Sequence, residues 1–516
     1  MINTRLVIAA ALLPAALGAA SAAAATTTPQ RDPFYTSPRL LSGVKPGTVL
    51  RSRRVSITLG TTKLTETQVL YRTTDQVGQP SATVATILSP TASAGPLKLL
   101  SYQTPYDTIT ATGRPSYALR TGNSKANAII AASSGLITPY LQHGYTVVTS
   151  DYEGPTDDFG AGRESGYGTL DAIRAADHQL HVSSRTTRVA LTGYSGGSIA
   201  SMWAAQVQPS YAPDVDLIGV AAGGIPVDFA HNQNYIDGSS DWAGAIPSNT
   251  VGLSRAYGVD LTKLLSAEGR RVLNRAAAAG TLNPGGYPGL TFADLYKPQY
   301  RAYRRSPEFV RIFNDSIMGR TGTPKVPVFM AVGDRGDGGD GVMIVKDVQQ
   351  LAHTYCSRGL RVQFHVYPNS DHTAGFIHFA PEASSYLQGL YAGQTAPTNC
   401  PVSAGNPLTP LAAPAANPTF TSGITTRQIS RSGLRYMIAV GAPNSTLANV
   451  TLTVYRSSRS RLTRITTKRL GSIPAFGTRS LRVTLPNSTP GTPYVFSAAG
   501  QLQTAVVVNQ LRIRTH

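Results

Sequence analysis

The stretch Arg188-Val-Ala-Leu-Thr-Gly-Tyr-Ser-Gly-Gly-Ser-Ile-Ala200 constrains this chain more than any other. Val189 to Thr192 has the short, apolar, β-branched character of a buried strand, and Ser198 to Gln206 has the small-residue composition of a helix. Between them lies G-x-S-x-G, with Gly193, Ser195 and Gly197. A serine held on a sharp strand-to-helix turn stands clear of the backbone, where a base can reach its hydroxyl. Glycine two positions before and after lets strand and helix pass without a Cβ between them. A plain Gly-Ser turn would have the same five residues. The strand before and the helix after are what make Ser195 a candidate nucleophile.

With 516 residues the chain exceeds one ordinary domain. Met1 to Ala25 has a basic start at Arg5, an apolar run from Leu6 to Ala20 and small-residue cleavage sites, so residues 1–25 are expected to be a secretory signal peptide. No other stretch has the length and apolarity of a membrane span. Two cysteines, Cys356 and Cys400, fit export to an oxidising space as one disulfide, against the alternative of two separate buried thiols.

Downstream, the strand-like runs Arg53 to Gly60, Thr67 to Thr73 and Ala82 to Leu88 suggest an antiparallel edge. Apolar runs at Leu97–Tyr102, Tyr145–Ser150, Arg188–Thr192, Leu217–Ala222, Val326–Val332 and Arg361–Val366 then alternate with helical stretches at Gly168–Gln179, Ser198–Gln208 and Met343–Cys356. Such alternation predicts an α/β fold with a mostly parallel sheet covered on both faces. Between about 225 and 323 the chain is helical or irregular, with amphipathic segments Asp260–Ala279 and Ser306–Ile317. An insertion of this size is expected to be a cap. Residues 401–418 are rich in Pro and Ala and read as a linker. The remainder, 419–516, predicts a small β-sandwich-like domain with strands at Tyr436–Val440, Asn449–Tyr455, Arg479–Leu485, Pro493–Ala498 and Gln503–Val508.

The formal charge of +19 is concentrated in that last region. No acidic residue follows Glu382, and thirteen Lys and Arg lie between Arg427 and Arg514. A field of that kind favours an anionic surface, either a cell-wall polymer or lipid. Export makes nucleic acid an incidental contact, and the alternative is that the cations only blunt exposed strand edges.

A nucleophilic serine needs a base on one side and donors for a developing oxyanion on the other. In α/β-hydrolases the order along the chain is Ser, then acid, then His. His372, in Tyr367-Pro-Asn-Ser-Asp-His-Thr373 after the last core strand, is the expected base. His365 within a strand pattern and His378 in an apolar helical run read as packing histidines. Gly333-Asp-Arg-Gly-Asp-Gly-Gly-Asp-Gly341 offers three acids, Asp334, Asp337 and Asp340, which the residues alone leave unranked. A cation could also sit on such a loop, although the spacing differs from an EF-hand. Asp151-Tyr-Glu-Gly154 ends a core strand, and its carboxylates are expected to hold neighbouring loops through backbone N–H groups.

Together Asp32-Pro-Phe-Tyr35, Tyr106-Asp107, Asp151-Tyr-Glu-Gly154, Gly193-Tyr-Ser-Gly-Gly197, Gly223-Gly-Ile-Pro226 and Asp371-His-Thr373 resemble the secretory lipases of fungi and actinomycetes, the group that includes Candida antarctica lipase A. The resemblance runs from about Asp32 to Cys400 and does not extend into the β region after it. It implies an α/β-hydrolase with a helical cap inserted before the acid strand, hydrolysing lipid esters. It also implies Ser195 as nucleophile, His372 as base and Asp340 as acid, with Asp337 second. The N–H groups of Asp107 and Gly196 would form the oxyanion hole. The glycine-rich acid loop and the cap depart from the fungal pattern, so acyl-chain preference does not carry over. The leading expectation is a secreted lipase or carboxylesterase working through an acyl-enzyme, for which no cofactor is implied. A serine peptidase on the same scaffold is the nearest alternative, and a surface-binding protein with a vestigial hydrolase domain is the second.

Overall fold

The computed structural model describes residues 27–38, 41–59, 62–90, 96–121, 128–413, 416–458, 461–486 and 489–515; the leader expected over 1–25 lies outside them. Its centre is a nine-stranded sheet. The strands are β1 (Val49–Leu59), β2 (Thr62–Thr74), β3 (Pro80–Leu88), β4 (Lys98–Gln103), β5 (Tyr145–Ser150), β6 (Val189–Tyr194), β7 (Leu217–Gly223), β8 (Val328–Asp334) and β9 (Val362–Pro368). Their spatial order is β1-β2-β3-β5-β4-β6-β7-β8-β9. β1, β2 and β3 pair antiparallel, and β3 meets β5 antiparallel. From β5 to β9 every pairing is parallel. Each expected core strand is present, with ends displaced by a few residues.

The central strands β5 and β6 are buried along their whole length, because helices cover both faces. One face carries the helices Gly162–Gln179, Gly196–Tyr211 and Val345–Ser357, whose Leu170, Ile173, Trp203, Val348 and Leu351 share a core with Leu191 and Val220. On the other, Ile137, Leu141, Phe379 and Leu387 pack with Leu100, Ala190 and Phe329. The expected helix Gly168–Gln179 begins six residues earlier, because apolar spacing does not register its Gly- and Ser-rich first turns.

Between β7 and β8 run the helices Phe229–Ile236, Ala245–Tyr257, Leu261–Leu264, Ala267–Ala279, Phe292–Leu295 and Pro307–Asp315. The amphipathic segment Asp260–Ala279 is two helices rather than one. Ser266 breaks it by accepting a hydrogen bond from the Gly269 N–H, a cap that restarts the helix. Cys356 and Cys400 are joined by a disulfide. The following Pro/Ala-rich stretch lies along the body: Gln349 Nε2 donates to the Ser403 carbonyl at 2.9 Å, and Asn406 Nδ2 to Asp347 at 2.8 Å. Asn314 exchanges two bonds with the Leu411 backbone.

The C-terminal strands β10 (Thr425–Ser432), β11 (Arg435–Gly441), β12 (Leu447–Ser458), β13 (Arg461–Ile473), β14 (Thr478–Thr484), β15 (Pro493–Leu502) and β16 (Ala505–Arg514) form two antiparallel sheets, β10-β11-β14 and β13-β12-β15-β16. Ile438, Val440, Leu452, Val454 and Phe496 make a shared core. β10 and β13 have no counterpart among the expected strands. Both are mostly exposed and rich in Arg and Thr, so they lack the apolar alternation that marks a strand. The strand expected over Gln503–Val508 starts in a turn: Gln503 and Thr504 connect β15 to β16.

Candidate active site

Four loops converge at the C-terminal edge of the parallel strands, where open α/β sheets place their sites. Ser195 follows β6, Asp107 lies beyond β4, Asp340 beyond β8 and His372 beyond β9. Ser195 has φ 54° and ψ −124°, a strained conformation for a residue with a Cβ. Its N–H donates to the Gly223 carbonyl at 3.0 Å, which anchors the turn to β7. A Cβ on Gly193 would collide with the Gly197 carbonyl, and one on Gly197 with the carbonyl of Gln103. Both glycines are therefore required by backbone crossing.

His372 opens the helix His372–Tyr391, whose N-cap Asp371 accepts from the N–H groups of Thr373 and Ala374. Its imidazole is nearly buried and bridges two partners. Nε2 is 2.8 Å from Ser195 Oγ, and Nδ1 is 2.7 Å from Asp340 Oδ2. An ionised carboxylate only accepts, so Nδ1–H donates to Asp340 and Nε2 is free to accept from the serine hydroxyl. The second oxygen of Asp340 accepts from the N–H groups of Val342 at 3.0 Å and Met343 at 2.7 Å. The His372 N–H in turn donates to the Asp340 carbonyl at 2.9 Å. Asp340 is fully buried.

The other two acids of the loop point elsewhere. Asp334 accepts from the N–H groups of Gly336 and Gly338, and Asp337 from the Tyr235 hydroxyl and Arg335. Their carboxylates do not converge with that of Asp340. Among the described residues no group of three or more His, Cys, Asp or Glu could hold a metal ion. His365 is half-exposed, with Nδ1 2.7 Å from Glu382 of the helix His372–Tyr391. His378 is exposed and tilted against Tyr367, not buried as a packing histidine would be, because its position on the final helix faces solvent.

Asp107 sits beside Gly196, close enough that a Cβ on Gly196 would strike its carboxyl. It has φ 40°, another sparsely populated conformation. Burial pushes its carboxyl up to about 7, against a smaller downward pull from His372. Three partners hold its loop. Leu282 N–H donates to the Asp107 carbonyl at 2.9 Å, Ile109 N–H to Gly280 at 2.9 Å, and Thr108 N–H to Glu153 Oε2 at 3.3 Å. Asp151 accepts from the Ser116 N–H at 2.9 Å. The Asp-Tyr-Glu-Gly segment thus ties loops together through backbone N–H groups. Glu153 is buried beside Asp107, and both effects hold its carboxyl well above the usual carboxylate range.

Next to Ser195 opens a largely apolar cavity lined by Phe159, Ile199, Phe229, Phe292, Phe309 and Phe313, the last four from the segment between β7 and β8. Trp242 of that segment also lines it and meets the His372 ring edge-on, with centroids 5.0 Å apart. Tyr194 packs on the same ring, and its hydroxyl donates to the His372 carbonyl at 2.8 Å. Neither aromatic was a sequence candidate. Tyr194 had a signal, since it occupies the position before the serine; Trp242 had none.

The sheet order and the placement of the site define an α/β-hydrolase. The chain belongs to the secretory lipase family and is an ester hydrolase of the lipase and esterase type: the family's profile, described as Secretory lipase, matches residues 120–399. Lipase 10 of Candida albicans is 32% identical, over 72% of this chain and 83% of that protein. A probable inactive lipase of Mycobacterium tuberculosis is likewise 32% identical, over 71% of this chain and 83% of its own. Among solved structures, Candida antarctica lipase A superposes with a TM-score of 0.67 at 28% identity, covering 77% of this chain and 92% of that one.

Proposed function

We propose that the protein is an exported serine lipase or carboxylesterase that cleaves acyl esters through an acyl-enzyme at Ser195. The observation that carries this reading is the unbroken chain from Ser195 Oγ through His372 to Asp340, beside an apolar cavity. His372 Nε2 takes the serine proton as Oγ attacks the ester carbonyl, and returns it to the leaving alcohol. Asp340 keeps Nδ1 protonated and stabilises the imidazolium. The N–H groups of Gly196, unpaired within its helix at the first turn, and of Asp107 receive the oxyanion. The aromatic cavity takes an acyl chain, which favours lipid esters, of triacylglycerol type, over peptides. The Met1–Ala25 leader supports export, and no described helix is long and apolar enough to cross a membrane. The exposed cations after Arg427 support contact with an anionic cell-wall or lipid surface.

A fluorophosphonate probe followed by peptide mapping tests the reading. Label on Ser195, loss of label and of nitrophenyl-ester turnover in Ser195→Ala, and preference for an acyl ester over a peptide nitroanilide are the expected results. An unlabelled wild-type protein with no ester turnover would instead favour a surface-binding role with a vestigial hydrolase domain.

A further inference from the structure

The turn that joins β15 to β16 reaches from the C-terminal sheets into the hydrolase, against the loop that carries Asp107. Gln503, at φ 52°, forms its tip. Its Oε1 accepts from the Ala111 N–H at 3.4 Å and from Gln30 Nε2 at 3.1 Å, and its Nε2 approaches the Ile109 carbonyl at 3.5 Å. Thr504, 3% exposed, accepts from Arg114 Nη1 at 3.1 Å and donates its hydroxyl to the Pro155 carbonyl at 3.1 Å. Arg114 is buried and pairs with Asp157 at 2.5 Å. A second contact closes the arrangement from the other side. Arg255, on the helix Ala245–Tyr257, donates to the carbonyls of Ile109 at 2.7 Å and Thr156 at 2.9 Å, and to the Ser445 hydroxyl of the C-terminal sheets at 2.8 Å.

The segment from Ile109 to Arg114, which starts two residues after Asp107, is thus held between the cap, the body and the C-terminal sheets. Most of the groups engaged are its backbone carbonyl and N–H, so what these bonds fix is the path of the chain. That path matters at Asp107, whose positive φ persists only where neighbours over-determine it. An oxyanion donor is effective because it is already aimed when charge develops, and a small displacement of the donor weakens it. The family profile stops at residue 399, before this turn.

We infer that Gln503 and Thr504 are positioning residues for ester hydrolysis, through which the C-terminal sheets fix the Asp107 N–H at the oxyanion site. The inference rests on the proposed oxyanion role of Asp107. It makes the C-terminal region part of the working enzyme.

The test uses the full-length protein and a soluble nitrophenyl ester, well below the unfolding midpoint of each variant. Thr504→Val keeps the shape and removes the hydroxyl, Gln503→Gly removes the side chain without straining the positive φ, and Thr504→Ser restores the hydroxyl. Thr504→Val and Gln503→Gly are each expected to lower kcat about 5- to 30-fold, less than outright loss of an oxyanion donor, with KM within about twofold. The rate of Ser195 modification by a fluorophosphonate should fall by the same factor, and Thr504→Ser should stay within about twofold of wild type. An unchanged kcat in both variants, a change confined to KM, or a loss shared by Thr504→Ser overturns the inference. Failure of the wild-type protein to label at Ser195 would overturn the serine reading beneath it, a distinct outcome.

Discussion

An aspartate beside a histidine acts by what it accepts, which separates the three acids of the Gly-rich loop. Asp340 accepts from His372 Nδ1–H; Asp334 and Asp337 accept only from their own loop, Tyr235 and Arg335. An amide at 340 can turn its NH₂ toward Nδ1 and stabilise the wrong tautomer. Asp340→Asn is therefore expected to lower kcat by about 10³- to 10⁴-fold, while Asp334→Asn and Asp337→Asn leave it within about threefold. Steady-state kinetics on one soluble ester decides it, and a crippling effect at 337 with little at 340 would reverse the assignment. Ser195 and His372 were legible because a strained turn and a post-strand histidine follow fixed chain order. Asp340 was not separable from its neighbours by residue type. What singles it out is a backbone bridge between Gly339 and Ile344 that folds the loop back and turns one carboxylate inward.

Asp107 adds a pH effect at the same scale. With its carboxyl raised by burial to about 7, it is protonated and neutral on the acid side and ionises as pH rises through neutrality. An anion there would repel an oxyanion held at the proposed site beside Gly196, so kcat should decline above about pH 7, and Asp107→Asn should flatten that limb. A wild-type alkaline limb that survives unchanged in the variant would assign the titration to another group.

At the scale of elements, the connection from β5 into the helix Gly162–Gln179 concentrates buried acids. Burial raises the carboxyls of Asp151, Asp171 and Asp177 to about 6 each, and those of Asp158 and Glu164 also lie above their ordinary values. A carboxyl whose folded pKa exceeds its unfolded one keeps its proton longer in the native state. Its contribution to stability is fully present below about pH 4 and is lost as pH rises through the folded value. The thermal midpoint is therefore expected to be higher at pH 5 than at pH 8, by several degrees, and Asp177→Asn should narrow the gap by raising the alkaline value. A midpoint that climbs from pH 5 to pH 8 would contradict this. The sequence places Asp151 at a strand end and Asp171 and Asp177 on a helix, leaves Asp158 and Glu164 between elements, and nothing in the spacing of the five marks burial. Burial follows from packing that helix against β2 and the helix Gly196–Tyr211. The same limit explains β10 and β13, edge strands whose Arg and Thr residues have no apolar face to alternate.

For the whole molecule the question is how a strongly basic region and a hydrolase share a task. Between Arg427 and Arg514 every described Lys and Arg is exposed, and no acidic side chain follows Glu382. Register places several on one face of the four-stranded sheet. Tyr455 pairs with Arg464 on one side and Val495 on the other, Val495 pairs with Arg512, and Thr451 pairs with Arg469. Arg464, Arg469 and Arg512 therefore project from the same face of that sheet. Cations fixed on a sheet attract a polyanionic surface over about a Debye length, an attraction that salt removes. The full-length protein is expected to sediment with anionic vesicles or cell walls at low ionic strength and to be released as salt rises. Replacing all three, Arg464→Glu, Arg469→Glu and Arg512→Glu, should abolish that retention while leaving kcat on a soluble ester within about twofold. Retention that persists in high salt, or in the triple variant, would show that the cations serve only to keep exposed strand edges from pairing, and would leave the sheets with their role at the Asp107 loop alone.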